Sequence, residues 1–328
     1  MRSLKLLTVA LAIAGTLAFV IASRATPRPL TAIAAVQPSM NYAYVRIEGV
    51  VPAFPSLQDD AYLSFRVLDA GGEMRVSAYR NVVAQLIAQD RVPKPGDRVT
   101  VEGTLRIRED EPSLILNSVD GLTASTPDAP AIKLRALDAM ALGERATVIG
   151  QVRRIREISP HLRVLTLREG NATADVLLPV DDATFGAAPA LREGDWVRVT
   201  GGVGAYRDAR QLLPSAATAI TKIDAPLTDL RPIAALSDDL LGQWVSVQAQ
   251  VDDLRAFVQG VRLTLREGDA TLTAVLFDSV WERAPFSSTL QAGDTIRLQG
   301  ETSEYRGELE IVPELPADVS LAAATPPN

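Results

Sequence analysis

The sequence holds one histidine, His161, and no cysteine. Disulfides, thiolate metal sites and cysteine nucleophiles are therefore excluded, as is any centre that needs two imidazoles. His161 sits in Ser159-Pro160-His161-Leu162 and reads as an ordinary loop histidine. Carboxylates lie side by side at Asp59-Asp60, Glu109-Asp110-Glu111, Asp181-Asp182, Asp238-Asp239 and Asp252-Asp253. Adjacent carboxylates can hold a hard cation. None of these runs has the alternating Asp-x-Asp-x-Gly spacing of a calcium loop, so they are expected to be solvated loop charge. There is no glycine-rich phosphate loop and no serine-nucleophile motif. The expectation is a protein that is not an enzyme, with no metal and no cofactor.

The chemistry that remains belongs to arginines and rings. Arg153, Arg154 and Arg156 are followed by Arg163 and Arg168, then by Trp196, Tyr206, Arg207 and Arg210. Cations along a groove pair with phosphates and aromatic rings stack bases, which is what binding of single-stranded DNA or RNA requires. These nine residues are the candidate nucleic-acid-binding set. The competing reading is that the arginines solvate loops and that Trp196 and Tyr206 pack against linkers.

Two periodic landmarks show which elements must position these residues. Gly-Asp pairs at Gly96-Asp97, Gly194-Asp195 and Gly293-Asp294 recur 98 and 99 residues apart. Each leads into an alternating run ending in glycine: RVTVEG, WVRVTG and TIRLQG. That is a half-buried strand entered through a turn, with the aspartate expected to cap backbone N–H groups. LTLREGNAT at 165–173 returns as LTLREGDAT at 263–271, with FRVLDAGGE at 65–73 as the divergent copy. Tyr206-Arg207 likewise returns as Tyr305-Arg306. The chain is a threefold repeat. Each copy reads as five short strands with a helical or irregular stretch between the third and fourth.

That element order, together with GVRLTLREGDATLTAVLFDSVWERAP and LQAGDTIRLQGETSEYRGELEIVP in the third copy, resembles tandem OB-fold domains of the nucleic-acid-binding type, found in envelope-anchored or secreted bacterial proteins. The resemblance implies an all-β chain of three tandem five-stranded OB-fold barrels after an N-terminal hydrophobic helix. It also implies ligands on the face of strands 2 and 3, between the loops joining strands 1–2 and 4–5. Haem chaperones of cytochrome c maturation are similar in plan but carry a tyrosine four residues after their histidine. Here that position is Leu165.

The domains expected are residues 44–122, 143–222 and 242–320, with a flexible tail at 321–328. Residues 6–22, LLTVALAIAGTLAFVIA, carry no charge and follow Arg2 and Lys5. They fit either a transmembrane anchor or the core of a signal peptide within 1–23, with the anchor preferred. A Pro/Ala-rich linker at 24–43 follows. The body is expected to face the extracytoplasmic side, or to be secreted if the segment is cleaved.

The chain has 33 Lys+Arg against 40 Asp+Glu, a net charge of −7, so binding of nucleic acid through overall charge is excluded. Residues 44–121 carry 9 basic and 12 acidic side chains, residues 142–223 carry 11 and 9, and residues 238–320 carry 6 and 15. Only the middle copy suits a polyanion, so it is expected to engage single-stranded nucleic acid. The rival is a membrane-tethered module that contacts an envelope protein or glycan, with the barrels as spacers. On the sequence alone, reversing Arg153 and Arg154 to Glu is expected to abolish strand binding in a folded protein.

Overall fold

The computed structural model describes residues 29–109, 111–180, 184–187, 189–226 and 230–322. The hydrophobic segment at 6–22 and most of the tail lie outside them. Among the described residues no helix is long and apolar enough to cross a membrane. The chain divides into two compact units, 1–126 and 127–328, and the second holds both the middle and the third repeats.

The first repeat contains β1 (Tyr44–Val50), β2 (Ser56–Gln58), β3 (Tyr62–Asp69), β4 (Gly72–Tyr79), α1 (Asn81–Ala88), β5 (Arg98–Arg108), β6 (Glu111–Ile115) and β7 (Leu122–Ser125). The middle repeat contains β8 (Arg145–Ser159), β9 (Leu162–Glu169), β10 (Ala172–Pro179), β11 (Trp196–Tyr206), β12 (Ala209–Pro214) and β13 (Ile220–Ile223). The third contains β14 (Trp244–Phe257), β15 (Gly260–Glu267), β16 (Ala270–Phe277), α2 (Asp278–Trp281), β17 (Thr295–Tyr305), β18 (Glu308–Val312) and β19 (Val319–Leu321).

The middle sheet closes as a five-stranded barrel. β8 pairs with β9, β9 with β10, β10 in parallel with β12, β12 with β11, and β11 back onto β8. The first and third sheets run the same circuit of partners. This strand order, 1-2-3-5-4-1 within a repeat, is the OB type. A short sixth strand lies along the fourth in every repeat. The helix expected after the third strand is α1 in the first repeat and α2 in the third. The described residues of the middle repeat have none there, and Phe185 is buried in that connection instead.

The repeating sequence marks are structural. Asp97, Asp195 and Asp294 accept the backbone N–H of Lys94, Arg192 and Gln291 at 2.8, 2.9 and 2.9 Å. The preceding glycines have φ of +87°, +94° and +99°, a region that penalises any side chain. The acid ending the second strand caps a lead-in segment in the same way each time. Asp69, Glu169 and Glu267 accept from Ile33 N–H at 2.7 Å, and from Leu134 and Ile233 N–H at 2.6 Å. Those three apolar residues are buried. Each lead-in also forms a parallel bridge to the first strand, at Leu30–Arg46, Ala131–Thr147 and Leu230–Ser246. The linkers therefore end as ordered plugs on the sheets they precede.

Asp195 also meets the Lys222 ammonium at 2.6 Å. Burial works to raise its pKa, but the Lys222 contact and the Arg192 N–H outweigh it and hold the carboxyl below the ordinary aspartate value. A depressed native pKa stabilises the fold above the unfolded value, and that contribution disappears as pH falls through the native one. The stability gap between wild type and Asp195→Asn, measured by urea unfolding, should be constant above about pH 5 and shrink on acidification. A gap that widens on acidification would contradict the assignment.

Candidate nucleic-acid interface

The nine arginines and rings singled out by the sequence separate into two groups. Arg153 lies at a bulge in β8, where the register shifts between Val152 and Arg154. Its side chain is 7% exposed. It bonds Asp318 through two contacts of 2.6 and 2.9 Å, Glu314 at 2.7 Å and Gln151 at 2.7 Å. The Asp318 side chain is fully buried, and it also accepts from Gln299 and from the backbone of Glu314 and Leu315. Arg168 and Arg153 both lie over the Trp244 ring, 4.3 and 4.6 Å from its centre. Arg153 and Arg168 therefore join the middle repeat to the third and do not belong to an exposed face. The double reversal of Arg153 and Arg154 would test this junction before it tested a ligand.

Gly194 completes the junction, because a Cβ there would collide with that of Ala317. Trp244 N–H donates to Asn171 Oδ1, and Gln299 donates to Gln151. Trp196 is half-buried at the start of β11 and lines the cleft beside this junction. Arg210 is half-buried, and its Nε donates to the Met140 carbonyl at 3.1 Å, which ties β12 to the lead-in.

The other group stays on the outside of the middle repeat. Arg154 is exposed and has no ion pair among the described residues. Arg156 meets Asp175 at 3.0 Å, and Arg163 meets Glu157 at 3.0 Å, so both cations are partly neutralised. Tyr206 is 61% exposed at the β11–β12 turn, with Arg207 5.3 Å over its ring. His161 is exposed at the β8–β9 turn.

The third repeat carries a feature the sequence reading passed over. Phe257, Phe277 and Tyr305 are 38, 42 and 46% exposed. Phe257 and Phe277 sit on the strands either side of Gly260, which pairs with both. With no side chain between them, the two rings meet edge to face with centres 6.2 Å apart. Arg262 lies 6.0 Å from the Phe257 ring and 5.2 Å from that of Tyr305, and Arg306 covers Tyr305 at 5.1 Å. Three rings and two guanidinium groups thus occupy the rim formed by the first and second strands, the end of the third, and the turn between the fourth and fifth. This is the region where OB barrels hold ligands. The first repeat has Tyr62 and Tyr79 at the same end, with ring centres 5.2 Å apart.

Among the described residues the carboxylate pairs do not come together into a cation site. Asp252 is bonded by Arg266 at 2.6 Å, which holds its carboxyl below the usual range and raises the guanidinium. Asp253 meets Arg255 at 2.6 Å. Among the described residues no group of three histidine, aspartate or glutamate side chains is placed to hold a metal.

No family model and no curated protein matches the chain. Among solved structures, a replication protein A heterotrimer bound to single-stranded DNA aligns over 89% of this chain and 96% of its own, at 11% identity and a TM-score of 0.32. An OBody bound to hen egg-white lysozyme aligns over 30% of this chain and 98% of its own, at 19% identity and a TM-score of 0.25. The aspartyl-tRNA synthetase of Entamoeba histolytica aligns over 29% and 22%, at 20% identity and a TM-score of 0.25. The assignment to the OB type rests on the strand pairings above.

Removing one partner of a buried pair strands the other charge, at a cost of about 3–5 kcal/mol. Asp318→Ala should lower the stability of the second unit by about that much, read by urea unfolding of the full chain through tryptophan fluorescence. A loss below about 1 kcal/mol, the size of an exposed ion pair, would contradict a load carried by this junction.

Proposed function

We propose that this chain is a string of three OB-fold barrels that binds single-stranded nucleic acid without catalysing a reaction. The observation that carries the reading is the rim of Phe257, Arg262, Phe277, Tyr305 and Arg306. Each base stacked on an aromatic ring contributes about 1–3 kcal/mol regardless of sequence. Arg262 and Arg306 lie beside those rings and would meet the phosphates. On the middle repeat, Arg154, Arg156, Arg163 and the Tyr206-Arg207 pair would continue the contacts. The hydrophobic segment at 6–22 would deliver the barrels to the outer side of a membrane, as an anchor or as a signal.

The charge of −9 over residues 238–320 opposes a polyanion, so stacking must supply most of the affinity. It also favours a second reading, in which the same rim receives a basic protein. Val258, 96% exposed beside Phe257, would suit such a contact. The two readings differ in what binds and in how salt acts.

Fluorescence anisotropy of the full chain with labelled dT15 should show binding that weakens only gently with salt. Two phosphate contacts at the rim predict a log–log slope of about −1.4, and each further contact on the middle repeat would add about −0.7. Phe257→Ala with Phe277→Ala should weaken binding at least tenfold while leaving the thermal midpoint close to wild type, because both rings are exposed. No binding at low salt would overturn the proposal and direct attention to the basic protein partner.

A further inference from the structure

We propose that the cleft between the middle and third repeats is a nucleotide site, taking a base against Trp196 and a phosphate on Arg135, Arg231 and Arg297. The cleft has a volume of about 690 Å³ and lies within the second compact unit. That volume is within the range of small-ligand sites, roughly 300–1,000 Å³. It is separate from the aromatic rim of the third repeat and shares no residue with it.

Four cations line the cleft: Lys133, Arg135, Arg231 and Arg297. Its two carboxylates are already engaged. Glu169 meets Lys133 at 2.9 Å and caps the Leu134 N–H, and Asp318 is held by Arg153. Arg135, Arg231 and Arg297 have no carboxylate partner among the described residues. Arg297 bonds Gln248 at 3.2 Å through one terminal nitrogen, while its buried Nε has no hydrogen-bond partner. Three guanidinium groups line one cavity, and an anion is the species that pairs with them. Guanidinium forks match phosphate oxygens in pairs.

The ring requirement follows from what covers each indole. Trp244 is 8% exposed and lies under Arg153 and Arg168. Trp196 is half-buried and lines the cleft, with no cation or second ring over it among the described residues. The frame is fixed: Trp196 pairs with both Gln151 and Ile223. Arg135 and Arg231 belong to the two lead-ins, which the Glu169 and Glu267 caps and the parallel bridges hold in place. A cation-lined cleft with Trp196 in its wall fits an aromatic phosphate better than a bare anion.

The nucleotide could be free or could belong to a strand. The test titrates ADP and, separately, dT15 into the full chain and reads tryptophan fluorescence, in wild type, in Arg135→Glu with Arg231→Glu, and in Phe257→Ala with Phe277→Ala. Saturable quenching by ADP that the arginine reversals weaken at least tenfold, and that the phenylalanine pair leaves unchanged, supports a free nucleotide. Quenching by dT15 alone that persists in the phenylalanine variant and is lost in the arginine variant supports a strand-borne one. Quenching by neither probe, or quenching insensitive to the arginine reversals, overturns the proposal. Absence of dT15 binding by wild type, with ADP binding intact, would remove the proposed strand-binding function and leave this site standing.

Discussion

The buried ion pair of Arg153 and Asp318 is the constraint on which the second compact unit depends. Withdrawing two charges from water is costly, and the attraction between them offsets this only when geometry is good and the remaining polar atoms are satisfied. Here both conditions hold for the carboxylate. It takes two contacts from one guanidinium, a third from Gln299, and backbone N–H groups at the start of the last short helical turn. Arg153 and Arg168 both lie over the Trp244 ring, so the junction also carries cation–π contacts. The middle repeat is thereby set against the third at one register, and the cleft beside Trp196 exists because that register is held.

The repeat unit was legible because its marks are local. A Gly-Asp turn and a Tyr-Arg turn each act within a short span of their own repeat, so they recur with the period of the chain. The Gly-Asp aspartates cap backbone as their position implied. Glu169 and Glu267 were visible as a repeated letter, but their role was not, because each reaches back more than thirty residues to its lead-in.

What stayed hidden depends on pairing across distance. Nothing near Arg153 in the sequence distinguishes it from Arg154, since its partner lies 165 residues away. One signal was present. Asp318 occupies the place that Ala219 and Gly121 hold in the other copies, an acid where the repeat otherwise keeps a small residue. The aromatic rim was hidden for a related reason. Phe257 and Phe277 are neighbours only through the register that sets both against Gly260. Charge summed by repeat overstates the repulsion that a ligand on the rim of the third repeat would meet. Asp252, Asp253, Glu314 and Asp318 all face arginines, so they say little about what a ligand on the rim would meet.

On the proposed function, labour is divided between arginines that hold the repeats together and an aromatic rim that would meet the ligand. Hydrogen exchange of the full chain with and without dT15 tests this division most directly. The account predicts slowed exchange at the β14–β15 turn around Phe257, at the end of β16 around Phe277, and at the β17–β18 turn around Tyr305, with the amides around Arg153 and Asp318 unchanged. Protection confined to the middle repeat around Arg153 and Arg168, with the rim unaffected, would contradict it.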